Sequence, residues 1–169
     1  MFIHLDNRAL IKVSGNDSGS FLQAQLTNDI EKLDNSSIQL NAYCQHQGKI
    51  IALFWVMRFN DDFFLSFPLD LLEIVKRRLQ MFVIMSDVTI DDVSEDYLQI
   101  GVIDENQKNA FRINDKLSLI IKNQNELSKF KVTSNDFWER HLLIPISLRS
   151  FYQLVKKWFL KCLIWILMR

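Results

Sequence analysis

Ile38-Gln39-Leu40-Asn41-Ala42-Tyr43-Cys44, Gln45-His46-Gln47-Gly48, Lys49-Ile50-Ile51-Ala52-Leu53-Phe54-Trp55-Val56-Met57-Arg58-Phe59, Asn60-Asp61-Asp62, Phe63-Phe64-Leu65-Ser66-Phe67: three runs rich in aliphatic and aromatic residues alternate with two short polar breaks. Such runs suit a pleated strand, and two hairpins in a row imply an antiparallel sheet. Downstream, Pro68 suits a first helical residue. Leu69, Leu72, Val75 and Leu79 then fall near helical spacing and predict one buried stripe. Asp70 and Glu73 lie early in that helix and Lys76, Arg77 and Arg78 late, so both sets of charges suit its dipole. Residues 88–90, 98–103 and 117–121 read as further strands. Upstream, residues 9–13 alternate as a strand, and Gly15-Asn16-Asp17-Ser18-Gly19 reads as a turn. Asp17 or Ser18 can cap a helix that carries Phe21, Leu22, Gln25 and Leu26 and stops near Thr27-Asn28-Asp29. Strand, strand, helix and strand in this order predict an α+β fold, an antiparallel sheet with helices packed on one face.

The bulk numbers exclude several classes. Of 169 residues, 49% are hydrophobic and 24% charged, the balance of a globular chain. Twenty basic and twenty acidic residues cancel, which argues against a broad phosphate-binding face. Cys44 and Cys162 stand far apart with no second thiol near either, so neither a thiolate zinc site nor a disulfide scaffold has a framework. A reducing, cytoplasmic setting is the expectation, and the first residues show no secretory pattern. His4, His46 and His141 are scattered, and Ser14, Ser18 and Ser20 lack a strand–elbow context, so neither a metal site nor a hydrolase triad is indicated. Asn135 or Asp136 can cap a short helix over 137–141 that Pro145 ends. In the tail, 151–169, an apolar run is broken by Lys161 and falls short of the ~20 residues that span a bilayer. A basic, aromatic helix lying on a membrane surface is one reading of it, and docking on the domain is another.

The most specific text is Arg8-x-x-Ile11-x-Val13-x-Gly15-x-Asp17 followed by Phe21-Leu22-Gln23-Ala24-Gln25-Leu26-Thr27-Asn28-Asp29-Ile30. It resembles the opening of the YgfZ family and of the wider aminomethyltransferase superfamily, which includes the glycine-cleavage T-protein. Asn41-Ala42-Tyr43-Cys44 with Gly48-Lys49-Ile50 fits the same family. Trp138-x-Arg140 with Ile144-Pro145 resembles its "R-I-x-x-G-I-P" run, with Leu143 where the glycine is usual. The resemblance implies a ferredoxin-like α+β region of the T-protein N-terminal type over 1–148, with subdomains at about 1–36 and 37–134 and a divergent tail at 149–169. It implies tetrahydrofolate as ligand, held by Asn28, Leu40, Ala42, Cys44, Leu53 and Trp55, the last offering its indole to a pterin ring. Iron–sulfur proteins are the implied partners, and support of iron–sulfur cluster assembly or repair and of tRNA modification the implied role.

The chemistry that is missing is as informative. T-protein relatives carry an aspartate pair in a "G-G-I-x-D-D" pattern, where a carboxylate can stabilise positive charge or move a proton during aminomethyl transfer. The equivalent run here is Gly48-Lys49-Ile50-Ile51-Ala52-Leu53, with Ala52 and Leu53 at the acidic positions. Neither can do that work, so the expectation is a folate holder and not an enzyme. The alternatives are an aminomethyltransferase of the glycine cleavage system, and a non-functional or membrane-associated truncated product. The family's later "K-G-C-[FY]-x-G-Q-E" motif is absent, and nothing like it follows Lys161-Cys162, so truncation after about Leu148 is expected. Thr27-Asn28-Asp29 reads either as a helix terminator or as a wall of a ligand cavity. Cys44 alternatively reads as a small buried apolar residue, and Lys76-Arg77-Arg78 as a solvated helix end or a basic face. The expected pocket requires Cys44 and Ala52 to stand side by side.

Overall fold

The computed structural model describes residues 1–105, 107–130, 132–133 and 138. The expected helix over 137–141, apart from Trp138, and the tail at 149–169 lie outside the described residues. The strands are β1 (Phe2–His4), β2 (Arg8–Ser14), β3 (Ile38–Cys44), β4 (Ile50–Phe59), β5 (Asp62–Pro68), β6 (Thr89–Asp92), β7 (Tyr97–Ile103), β8 (Phe111–Arg112), β9 (Leu117–Asn123) and β10 (Val132–Thr133). The α-helices are α1 (Ser18–Gln25) and α2 (Leu72–Gln80).

The two hairpins read from residues 38–67 are present, and they build a five-stranded sheet in the order β3-β4-β5-β2-β6. All its neighbours are antiparallel. A second five-stranded sheet runs β10-β1-β7-β9-β8, with only β1 and β10 parallel. The α+β class with helices on one sheet face is therefore the observed one, and the second sheet covers the other face. The sheets do not divide the chain at residue 36, because β2 pairs with β5 and β6.

Side chains that alternate along each strand feed two cores on the faces of the first sheet, and Leu98, Ile100, Val102 and Ile120 of the second sheet form a smaller third cluster. Ala9, Ile11 and Val13 of β2 join Phe54, Val56, Phe63, Leu65 and Phe67 against Phe21 and Leu22 of α1 and Val75 and Leu79 of α2. On the opposite face, Leu10, Met57 and Phe64 meet Ile3, Leu5, Ile103, Leu117 and Leu119 of the second sheet. Covered on both faces, β5 is buried at five successive residues, which is why it reads as an apolar run broken only by Ser66. Full burial of each large side chain contributes about 1.5–3 kcal/mol. Trp138 is 2% exposed and lies on Gly101, where an added Cβ would stand 2.4 Å from its ring.

Three local expectations change. Pro68 is extended (φ −56°, ψ 135°) and precedes a 3-10 turn, Leu69–Leu71, so α2 begins only at Leu72. That turn rotates Leu69 outward to 43% exposure, and the buried stripe is reduced to Val75 and Leu79, with Leu72 partly buried. Asp17 occupies the N-cap position of α1 without capping it. Its carboxylate instead accepts a hydrogen bond from the Asp87 N–H at 2.8 Å. Gly15 (φ +108°) permits this approach, since a Cβ there would lie 2.1 Å from the Asp87 carbonyl oxygen.

Candidate functional site

The sequence-derived site centres on β3 and β4. Their register sets Leu40 opposite Trp55 and Ala42 opposite Leu53. Because Tyr43, Ala52, Phe54 and Val56 belong to the helix-side core, alternation puts Leu40, Ala42, Leu53 and Trp55 together on the opposite face. Ala42 is buried, and Leu40, Leu53 and Trp55 are half-buried. They offer a flat apolar surface whose only side-chain hydrogen-bonding group is the Trp55 indole N–H.

Cys44 does not stand beside Ala52. A register shift between Tyr43 and Cys44 pairs Cys44 with Ile50, whereas Ala52 pairs with Tyr43. The expected juxtaposition fails because the register from Leu40 to Tyr43 already sets Ala52 opposite Tyr43, and the irregularity only moves Cys44 on to Ile50. The pocket expected between Cys44 and Ala52 therefore does not form, and the candidate face is that of Leu40, Ala42, Leu53 and Trp55. The two positions where the resemblance sets an acid pair in T-protein relatives, Ala52 and Leu53, also part company. Leu53 lies on the candidate face, whereas Ala52 is 3% exposed in the helix-side core, where a carboxylate would be costly to bury.

Asn28 sits along the outer edge of β3, an edge strand of its sheet among the described residues. The Thr27 N–H donates to the Ala42 carbonyl (3.2 Å), and the Ala42 N–H donates to Thr27 Oγ1 (2.9 Å). Asn28 Nδ2 donates to the Leu40 carbonyl (3.2 Å), and Asn28 Oδ1 accepts the Asp29 N–H (3.0 Å). Thr27 and Asn28 thus stand in for a missing neighbour strand and close an edge that would otherwise be open to pairing. Gln23, which sequence reasoning passed over, completes the clamp: its Oε1 accepts the Ile30 N–H at 2.7 Å and so caps the 3-10 turn Ile30–Lys32. Its signal was a lone polar residue inside the otherwise recognisable Phe21-Leu22-Gln23 text.

A second polar cluster adjoins Trp55, and sequence reasoning missed it too. Ser66 pairs in register with both Trp55 and Leu10. Arg8 Nε donates to Ser66 Oγ (2.8 Å), and Arg8 Nη2 donates to the Ser66 carbonyl (2.9 Å). Ser66 Oγ donates to Gln99 Oε1 (2.5 Å), whose Nε2 returns a bond to the Arg8 carbonyl (2.9 Å). Buried Ser66 and Gln99 thereby tie the two sheets together. Nearby, Lys12 Nζ and Asp62 Oδ2 are 2.8 Å apart, and that hydrogen bond holds the Lys12 amine above its ordinary 10.5.

Three clefts bounded by described residues lie elsewhere. One of about 600 Å³ opens beside Gly15, Ser18 and Asp87. One of about 470 Å³ lies between the sheets at Phe59, Phe64, Tyr97 and Phe111. The third, about 790 Å³, is lined by Asp91, Asp92, Glu95 and Asp96. Among the described residues no group of three or more His, Cys, Asp or Glu could hold a metal ion, and no helix is long and apolar enough to cross a membrane.

Comparison with known proteins places these elements in a family. An uncharacterized protein of Haemophilus influenzae is 31% identical over 144 residues, covering 82% of this chain and 50% of that protein. The tRNA-modifying protein YgfZ of Vibrio atlanticus is 29% identical over 103 residues, covering 61% of this chain and 31% of its own length. The chain thus spans half or less of the curated relatives it matches. The glycine cleavage system aminomethyltransferase T from Bartonella henselae shares the fold at a TM-score of 0.54 and 14% identity, over 59% of this chain and 27% of that one. The GCVT N-terminal domain matches residues 3–104, from β1 through β7, and this chain belongs to that YgfZ- and T-protein-like family.

Proposed function

We propose that the chain binds tetrahydrofolate as an accessory protein of the YgfZ kind, without catalysing aminomethyl transfer, and that it serves iron–sulfur-dependent enzymes and tRNA modification in the cytoplasm. The names of the YgfZ relatives and the family match support the folate and tRNA parts of this reading. One observation carries the non-catalytic part. Of the two acid positions, Leu53 shares the face of Leu40, Ala42 and Trp55, and Ala52 is buried behind it. No carboxylate at either position can hold or move a proton.

The residues present fit the flat faces of a pterin. Trp55 gives an indole plane for stacking, and Leu40, Ala42 and Leu53 exclude water around it. Asn28 holds the β3 backbone at Leu40 and so fixes this face from its edge. Bound folate would supply a one-carbon carrier. The region 1–148 acts in this reading as the N-terminal part of the folate-binding unit.

Calorimetric titration of the chain with tetrahydrofolate tests the proposal. Binding is expected, and Trp55→Ala weakens it about tenfold through lost stacking and burial. Incubation with an aminomethyl donor is expected to yield no methylenetetrahydrofolate. Absence of binding heat removes the folate reading, and product formation removes the non-catalytic one.

A further inference from the structure

Tyr43 and Arg78 meet on the helix side of β3, across the strand from Ala42. Tyr43 is 2% exposed, its ring stacked on Phe54 with centroids 6.0 Å apart. The Arg78 guanidinium carbon lies 6.0 Å from the centre of the same ring. Yet no hydrogen bond of ordinary geometry reaches the buried Tyr43 hydroxyl or the buried Arg78 Nε, although Arg78 stands near enough to the hydroxyl to pull its proton affinity down. None of the ion pairs among the described residues involves Arg78. Native interiors rarely leave two such groups unpaired in one place, since each forfeits the full cost of its desolvation.

We infer that Tyr43 and Arg78 form an oxyanion site, in which the Arg78 Nε–H and the Tyr43 O–H together donate to one oxygen of a carboxylate or phosphate group. Both orphaned groups are donors in this arrangement, and an oxyanion is the acceptor that satisfies both and balances the guanidinium charge. A lone water would satisfy the hydrogen bonds and leave that charge uncompensated. The surroundings agree in sign. Lys76 and Arg77 add positive charge on the same helix, with Arg77 exposed. The carbonyl end of α2 contributes only about half a negative charge, and Glu73 lies back in the first turn. Burial raises the Tyr43 hydroxyl above its ordinary 10.0 although Arg78 pulls the other way, so it keeps its proton for donation. The site stands on the opposite sheet face from Trp55 and does not rest on the folate reading.

Thermal unfolding and calorimetry of the full chain with sodium phosphate, sodium acetate and ionic-strength-matched sodium chloride test the assignment. Phosphate or acetate should raise the midpoint in a saturable way that chloride does not reproduce. A response to phosphate alone identifies a phosphate-bearing ligand, and one to acetate alone a carboxylate. Arg78→Gln should weaken the response at least about tenfold, and Tyr43→Phe, which keeps the ring on Phe54, about three- to tenfold. Neither anion exceeding chloride overturns the site, as does an Arg78→Gln or Tyr43→Phe protein that binds like the wild type.

Discussion

Asn41 and Tyr43 are two residues apart on one face of β3, both buried and both polar, and their surroundings are opposite. Asn41 Oδ1 accepts the Asn28 N–H at 2.9 Å, and its Nδ2 donates to Gln39 Oε1 at 3.0 Å. Gln39 Nε2 in turn donates to the Asp29 carbonyl at 3.0 Å. That cluster is closed: each group spends its capacity on the chain itself, and the result is a rigid edge. The Tyr43 hydroxyl has no such partner. Closed polar networks specify structure, and open ones keep capacity for something else. The same contrast separates Asn28, whose amide nitrogen and oxygen are engaged, from Trp55, whose half-buried plane faces away from the helices.

The sharpest way to break this comparison is at Asn41. Asn41→Leu keeps the branched shape and removes both bonds, leaving the Asn28 N–H and Gln39 Oε1 unpaired. A loss of roughly 2–4 kcal/mol in denaturant unfolding is expected. A loss under about 0.5 kcal/mol would mean the clamp contributes no net stability.

Thr27→Val should cost less, about 1–2 kcal/mol, because it orphans one group, the buried Ala42 N–H that Thr27 Oγ1 accepts. Backbone hydrogen exchange at Ala42 checks the mechanism and not only the size. Protection there should fall more than at Val56 in the middle of the sheet.

How far the sequence carried these features depends on how local their causes are. The hairpins over 38–67 are legible because each strand has its own apolar run and each turn its own polar break. Of the second sheet, residues 98–103 and 117–121 read as strands, and the rest leaves no such trace. Phe2–His4, Phe111–Arg112 and Val132–Thr133 are two or three residues long and are strands only through pairing with β7, β9 and β1. Period two groups Leu40 with Ala42 and Leu53 with Trp55, but only the register puts the two pairs on one face, and the register shift at Cys44 leaves no mark on that pattern. Arg8, Ser66 and Gln99 come from three strands. Single polar residues in apolar runs were the visible trace, but which of them meet is set by topology. Leu69 misled because Pro68 starts a 3-10 turn and not the α-helix itself.

The smallest expected effect is the most discriminating. At neutral pH, without added anion, Tyr43→Phe should change stability by no more than about 0.5 kcal/mol, since it removes an unpaired hydroxyl and keeps the packing. Above pH 10 the two proteins should part. Burial raises the folded Tyr43 value above its ordinary 10.0, so the folded chain holds that proton more tightly than the unfolded one. The associated stability is fully present below the unfolded value and is lost as pH rises through the folded value. Lys12, raised above 10.5 chiefly by its hydrogen bond to Asp62, loses its contribution in the same direction, and it does so in both proteins. The difference between wild-type and Tyr43→Phe denaturation curves from pH 9 to 11 therefore isolates Tyr43. It should open steadily in favour of the variant, and superimposable curves would show that the hydroxyl titrates as it does in water and is not held in a buried, open donor site.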